Sequence, residues 1–455
     1  MRNDMHPDMA LLLEAERQEI CCLVVPDCVC TFDVLHPFHQ YQAGGMTAFL
    51  FDGVGDVAAF IAEAERVLED VKGEAGMSGP FALSVSARGC LNKACLALET
   101  GRRYAPERRL YTMGEFGEAA LIEACAKALK EQGFCAGDFC DGVLEELEAN
   151  DRQAGTQYVQ SLRGYLENRL DLRLAASKQG IHRNTLAYRI RRIQERFALD
   201  LSNKNTCFEL LFCFWLREHF AHEQREIADE KTDLSALLWR YVERQTYADA
   251  PTALCVGYID ISRLSDAERD ALVRRLYMAG EVCAFHDDEV ILACAPEDEV
   301  RMEANVEAAC EGLSCLTAFS GVFSSDRLRQ KLALCRWAIR ISGQRMTRLS
   351  AVCSTLFFAV VSRGTSLWPY YCEEVIRVMD EDATKGSSLS RSLFVYLLNF
   401  NDMKEAAEQI GMHRNTMEYQ MRKIEGFIGA PLSRDRRFMM MCTYRMLALP
   451  DMDAV

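Results

Sequence analysis

One passage of this chain is written twice, and that repetition limits its possible folds more than any other feature. Gly-Ile-His-Arg-Asn-Thr-Leu-Ala-Tyr-Arg-Ile-Arg-Arg-Ile begins at Gly180, and Gly-Met-His-Arg-Asn-Thr-Met-Glu-Tyr-Gln-Met-Arg-Lys-Ile begins at Gly411. His182 and His413 are separated by the same 231 residues as Leu201 and Leu432, so the copies align without a gap. Ala176 and Ala407 stand four residues before the two glycines. A small residue lets two helices approach, and glycine accepts the positive φ of a turn between them. The spacing therefore predicts a helix, a short turn and a longer second helix in each copy. Leu186, Ile190, Ile193 and Phe197 form one apolar stripe of the longer helix, repeated by Met417, Met421, Ile424 and Ile428.

Opposite that stripe lie Asn184, Tyr188, Arg191 and Arg192, and in the second copy Asn415, Tyr419, Arg422 and Lys423. Arg183 and Arg414 lie on the flank, and Thr185 and Thr416 close the His-Arg-Asn-Thr run. Arginine and asparagine can pair with guanine and adenine edges, while tyrosine and further arginines grip phosphates. These twelve side chains are the candidate DNA-binding residues. His182 and His413 fall near the buried edge of the helix start, which points to a structural role. A basic face that is merely solvated is the ordinary alternative. Against it, the polar face keeps its residue types while Ala187 becomes Glu418 and Arg189 becomes Gln420 beside it.

The run Ala-Ala-x-x-x-Gly-(Ile/Met)-His-Arg-Asn-Thr-x-x-Tyr follows Ser161-Leu162 and Tyr165-Leu166 and precedes Asp200-Leu201. With these residues the chain resembles the C-terminal helix-turn-helix of the PucR/CdaR family of bacterial transcription regulators. The second copy has Ser392-Leu393 and Tyr396-Leu397 in the matching places but Pro431 where the first has Asp200. The resemblance implies binding to double-stranded DNA and a response to a small-molecule effector of unidentified chemistry. Charge separates the copies. Arg173 to Phe197 holds seven basic residues against Glu195 alone, whereas Lys404 to Ile428 holds four against four. Phosphate contact supplies most sequence-independent affinity, so the first copy should grip DNA more tightly and with steeper salt dependence. Arg434, Arg436 and Arg437 follow the second copy and add some attraction.

A formal net charge of −15 excludes a protein that coats nucleic acid without selectivity, since only a local face is basic. No run joins basic residues to a long apolar segment near Met1, where Glu14, Glu16 and Glu19 interrupt a helix expected from Ala10. A cytoplasmic protein is expected. Many of the 20 cysteines sit inside apolar runs, as Cys21 and Cys22 do, where cysteine packs as a small hydrophobe in a reduced compartment. Cys28 and Cys30, Cys135 and Cys140, His36 and His39, and His219 and His222 have ligand-like spacing, yet no pair of CxxC knuckles exists. No metal and no cofactor is expected.

Ahead of each helical copy the pattern changes. Leu254–Ile259 reads as a strand, Ala267–Leu276 as a helix, and Val282–Phe285 with Val290–Cys294 as a hairpin turning at His286-Asp287-Asp288-Glu289. Val300–Cys310 reads as a helix, Leu316–Phe323 as a closing strand and Leu328–Ile339 as a last helix. A fainter version precedes it: a strand at Glu19–Val25, a hairpin about Gly44-Gly45, a helix at Val57–Val71, a strand at Phe81–Ser86 and a helix at Leu91–Thr100. This order resembles the degenerate GGDEF-like domain of the CdaR branch, related to nucleotide-cyclase folds. Met46-Thr47 and His286-Asp287 depart from the catalytic pattern, although Asp260 and Asp288 are placed where a metal could bind. Short helices at Phe139–Asn150 and Cys372–Asp382 lead into the helical modules, as a transmitting joint or a passive tether.

The expected fold is α+β and multidomain, with two tandem units, each an α/β sandwich followed by an all-α helix-turn-helix module. Its boundaries are 1–115, 116–230, 231–360 and 361–455. The expected function is sequence-specific DNA binding by two modules on one chain, as a homodimer or an internal pseudo-dimer, without enzymatic activity. The alternative is a nucleotide-sensing or cyclase-like signalling protein whose helical modules only dimerise.

Overall fold

The computed structural model describes residues 19–26, 32, 35–37, 39–43, 45–52, 54, 56–79, 81–82, 87–140, 142–220, 237–238, 253–428 and 434–449. Along the chain come β1 (Glu19–Pro26), β2 (His39–Ala43), β3 (Met46–Asp52), α1 (Val57–Val71), β4 (Ala75–Met77), β5 (Phe81–Ala82), α2 (Ala87–Tyr104), β6 (Leu110–Thr112) and α3 (Met113–Glu131). A helical segment follows: α4 (Gly142–Ala154), α5 (Tyr158–Glu167), α6 (Leu172–Lys178), α7 (Arg183–Arg196) and α8 (Lys204–His219). The next segment holds β7 (Ala253–Asp260), α9 (Asp266–Met278), β8 (Cys283–His286), β9 (Glu289–Cys294), α10 (Glu299–Ala309), β10 (Leu316–Ser324), α11 (Leu328–Ser342), β11 (Met346–Arg348) and α12 (Cys353–Gly364). Last come α13 (Glu373–Lys385), α14 (Leu389–Leu398), α15 (Met403–Gln409), α16 (Arg414–Ile428) and α17 (Arg434–Leu447). The fold is mixed α+β. Among the described residues no helix is long and apolar enough to cross a membrane.

The two sheets have one topology. The first runs β2-β3-β1-β4-β6 with β5 also on β1, and the second, read from its opposite end, runs β8-β9-β7-β10-β11. Each has antiparallel pairs up to β4 or β10 and a parallel last pair, β4 with β6 and β10 with β11. The closing strand differs in one respect. β10 stays whole across an irregularity between Phe319 and Val322, whereas its counterpart is split into β4 and β5. Gly79 (φ +81°) and Gly321 (φ +69°) mark the two breaks. Just before them Ser78 Oγ accepts from Cys22 N–H (3.0 Å) and Ser320 Oγ from Val256 N–H (2.9 Å). The expected strand at Phe81–Ser86 is therefore corrected: only Phe81–Ala82 is strand, residues 83–86 lie outside the description, and the longer pairing is made earlier, by Ala75–Met77.

Alternation explains the layers. Cys21, Leu23 and Val25 of β1 pack with Phe49, Phe51 and α1 residues Ala64, Val67 and Leu68. Cys22 and Val24 face the other way, into a cluster with Ala48, Leu50 and α2 residues Cys90 and Ala94, against which Trp368 and Ile376 pack. A strand apolar on both faces must be covered on both, which is why helices lie on each side. In the second sheet Cys255, Ile259, Val290 and Leu292 pack with Leu272 and Leu276 of α9 and Met302 and Val306 of α10. The sequence pattern placed α1, α9, α10, α11 and the β8–β9 hairpin within a few residues. It passed over β4, β6 and β11, each three residues long and too short to show a period. The expected helix at Phe139–Asn150 begins at Gly142 instead, because Asp138 accepts from Cys135 N–H (2.8 Å) and closes a tight turn ahead of it. The helix expected from Ala10 lies outside the described residues.

The chain forms two compact units. One joins Met1–Lys127 to Thr365–Leu447, and the other joins Ala128–Gly364 to Ala448–Val455. Each unit thus combines one α/β domain with the helical module of the other sequence half.

In the first unit a Cβ on Gly76 would lie 2.0 Å from the Ala94 carbonyl oxygen and 2.7 Å from Leu98 Cβ. Gly76→Ala must push α2 off the sheet. The expected loss is about 1–3 kcal/mol by overpacking, read as a lower urea midpoint.

Candidate nucleic-acid interface

Each helical module is built to present one long helix. Asp171 Oδ1 accepts from the N–H groups of Arg173 (2.7 Å) and Leu174 (3.0 Å), starting α6. Asp402 does the same for α15 through Lys404 (2.9 Å) and Glu405 (3.0 Å). Gly180 (φ +66°) and Gly411 (φ +67°) then turn the chain in the left-handed region, as the sequence predicted. The histidines follow. His182 Nδ1 accepts from Asn184 N–H and His413 Nδ1 from Asn415 N–H, both at 3.2 Å. Both imidazoles are exposed rather than at the buried edge. The physical reason is that α7 starts at Arg183, so His182 is still extended (φ −71°, ψ 142°) and bends back as an N-cap.

The apolar stripe is buried in both copies. Leu186, Ile190 and Ile193 in the first and Met417, Met421, Ile424 and Ile428 in the second are inside, with Phe197 only half-buried just past the end of α7. The opposite face is open. Arg183, Asn184, Thr185, Tyr188, Arg191 and Arg192 are exposed, as are Arg414, Asn415, Thr416, Tyr419 and Arg422. Lys423 is half-buried. Tyr188 and Tyr419 remain 54% and 67% exposed, although a large aromatic ring normally seeks cover. The replacement of Arg189 by Gln420 also has a reason. Arg189 Nη1 donates to the buried Ser161 Oγ (3.2 Å), and Gln420 Oε1 accepts from the buried Ser392, so each ties the long helix to the first helix of its module.

Ion pairs make the two faces unequal. In the first copy Arg191 (3.8 Å) and Arg192 (3.2 Å) share Glu195. Among the described residues no carboxylate pairs with Arg183. In the second, Glu418 stands between Arg414 (3.0 Å) and Arg422 (3.8 Å), while Lys423 is drawn back to Glu381 on α13 (3.2 Å). Arg436, counted from sequence as added attraction, is paired with Glu374. These exposed pairs are individually weak. Together they leave little cationic surface on the second face.

Sequence reasoning missed the joint ahead of each module. Asp151 on α4 accepts from the N–H groups of Tyr158 (2.8 Å) and Val159 (3.0 Å), capping α5. Asp382 on α13 repeats this for α14 through Leu389 and Ser390, both at 2.7 Å, and also takes the hydroxyls of Ser387 and Ser390 at 2.6 Å. The signal was available, since Asp151 and Asp382 keep the repeat spacing. A carboxylate that belongs to one helix and caps the next makes a stiff joint rather than a passive tether.

The hairpin carboxylates are occupied by protein groups. Asp288 pairs with Arg269 (2.7 Å), Asp260 accepts from Ser262 N–H (2.9 Å), and Glu289 takes Arg336 (2.6 Å) and the Tyr258 hydroxyl (2.8 Å). Of the ligand-like spacings, Cys28, Cys30 and His222 lie outside the described residues. Among the described residues no group of three or more His, Cys, Asp or Glu side chains could hold a metal ion.

Comparison with known proteins bears on the helical modules. The PucR C-terminal helix-turn-helix domain matches residues 158–216 and 389–442. The DNA-binding transcriptional activator AdeR of Bacillus subtilis (strain 168) is 29% identical over 126 residues, covering 28% of this chain and 29% of that protein. The proline-responsive transcriptional activator PutR of the same strain is 39% identical over 67 residues, covering 15% and 16%. The chain thus aligns with less than a third of the length of either relative. The crystal structure of a regulator of polyketide synthase expression from Bifidobacterium adolescentis aligns with 48% of this chain and 98% of its own, at 11% identity and a TM-score of 0.22.

Asp382 yields a pH prediction. Burial raises its pKa, but the Ser387 and Ser390 hydroxyls and the Ser390 and Leu389 amides outweigh that and hold it below the ordinary carboxylate value. A depressed pKa contributes stability above the unfolded carboxylate value, and that contribution is lost as pH falls through the folded one. Asp382→Asn should therefore lower stability by about 1 kcal/mol at neutral pH and flatten the acid limb of the urea midpoint. An unchanged acid limb would remove Asp382 from the joint.

Proposed function

We propose that this chain, which carries two PucR C-terminal helix-turn-helix domains, is a sequence-specific DNA-binding transcription regulator that reads its site with unequal grips. The carrying observation is the open face of α7, where Arg183, Asn184, Thr185, Tyr188, Arg191 and Arg192 project from a helix whose other side is fully packed. Asn184 and Arg183 serve as base readers, and Tyr188, Arg191, Arg192 and Thr185 as phosphate contacts. Arg414, Asn415, Thr416, Tyr419, Arg422 and Lys423 take the same roles more weakly, because Glu418 and Glu381 must be displaced before phosphate can approach. The printed descriptions of AdeR and PutR as transcriptional activators agree with this reading.

The α/β domains are proposed as non-catalytic relatives of the GGDEF-like fold, in the sequential segments 1–115 and 231–360. Their shared strand order supports a duplicated origin. The engagement of Asp260, Asp288 and Glu289 by protein groups supports a structural or effector-sensing role over nucleotide cyclisation. With two readers on one chain, the expected site is an imperfect palindrome with half-sites about 34 Å apart, one strong and one weak.

Selection from genomic DNA followed by mobility-shift titration tests the proposal. Arg183→Ala with Arg191→Ala should weaken binding by roughly tenfold or more and reduce the magnitude of the salt slope by about two. Arg414→Ala with Arg422→Ala should do less, and Glu418→Ala should strengthen binding. Unchanged affinity in the first double variant would refute the roles given to α7, and saturable nucleotide binding without DNA binding would favour the signalling alternative.

A further inference from the structure

Two lysines in this protein are almost wholly buried, one in each compact unit. Lys93 on α2 is 1% exposed and Lys331 on α11 is 2% exposed. Their helices hold equivalent places, each following the glycine-marked break in the closing strand. Each ammonium reaches out of its own α/β domain. Lys93 Nζ donates to the Tyr371 carbonyl (2.9 Å) and lies 5.5 Å from the centre of the Trp368 ring. Lys331 Nζ donates to the Asp138 carbonyl (2.7 Å), and Arg327 Nε adds a 2.8 Å bond to the Asp138 carboxylate. Tyr371 immediately precedes the approach to α13, and Asp138 the approach to α4. Those two helices begin at Glu373 and Gly142, at the same repeat spacing as the readers.

In both units, then, a buried lysine of one sequence half grips the backbone that leads to the reader of the other half. An interior ammonium is costly unless carbonyls or π-faces receive its protons, so the arm cannot lift without stranding the charge or exposing the lysine's seat. Shape reinforces the grip. Gly89 on α2 leaves room for Trp368, which a Cβ would approach to 2.0 Å, and Gly142 at the start of α4 leaves room for Val322 of β10, at 2.9 Å. Beyond the grip, Asp382 and Asp151 fasten each arm to its module.

We propose that reader control in this protein is crossed. The α/β domain of the first half sets the position of the second reader, the α/β domain of the second half sets that of the first, and Lys93 and Lys331 are the positioning residues. A perturbation at α2 passes through Tyr371 and α13 to α14–α16, while one at α11 passes through Asp138 and α4 to α5–α7. The proposal does not depend on either reader touching DNA.

Hydrogen exchange on the full chain tests it without a ligand. Lys93→Met should raise exchange about tenfold or more in residues 373–398 and leave residues 142–167 within about twofold, and Lys331→Met should give the reverse. Gly89→Ala and Gly142→Ala wedge the same two joints without touching a lysine. They should loosen 373–398 and 142–167 respectively, and they keep the test decisive if a lysine variant fails to fold. Loosening of 142–167 by either first-half α2 variant, equal loosening of both arms, or loosening of neither would overturn crossed control.

Discussion

Strand β1 is apolar on both faces, and the need to cover both organises the first unit around it. Cys21, Leu23 and Val25 are covered by α1, a local partner only a hairpin away in sequence. Cys22 and Val24 face α2 and, beyond it, Trp368 and Ile376, which lie more than 300 residues further along the chain. A long-range cover of this kind costs loop entropy only once, because that cost grows slowly with loop length. It also makes the helix that carries Ile376, the lead-in to the second reader, part of the core of the first α/β domain. Exchange of helical modules between sequence halves follows from that constraint.

Electrostatics then separates two modules that geometry makes alike. Their caps, turn glycines and buried stripes agree residue for residue, down to the serine that ties each long helix to its neighbour. One substitution, Ala187 in the first copy against Glu418 in the second, puts a carboxylate between two arginines that phosphate would otherwise meet. A second carboxylate, Glu381, takes Lys423, where the first module has Asn150 and Arg192. The weaker grip inferred from net charge thus has a local cause, because the cations are present but already have partners.

Much of this was legible beforehand. The periodicity of α1, α9, α10 and α11 and the apolar stripes of α7 and α16 depend on contacts a few residues apart, and helical spacing records them directly. What escaped notice has equally plain causes. Three-residue strands carry no period, the closing strand of the first sheet is broken at Gly79, and the capping roles of His182 and Asp151 rest on where a helix begins rather than on residue type alone. The histidines were assigned a structural role for the wrong reason, since they cap the helix from an exposed position.

The sequence by itself determined that this chain carries two copies of one helix-turn-helix, each with a polar reading face, since a gap-free repeat of apolar and polar positions admits one helical arrangement. It also determined that the first face is the more basic. Only the tertiary structure decided which α/β domain each module packs on, and which cations on each face are held by carboxylates. Both depend on residues far apart in the chain, and no local period encodes the partner that will bury a strand's second face or neutralise a lysine.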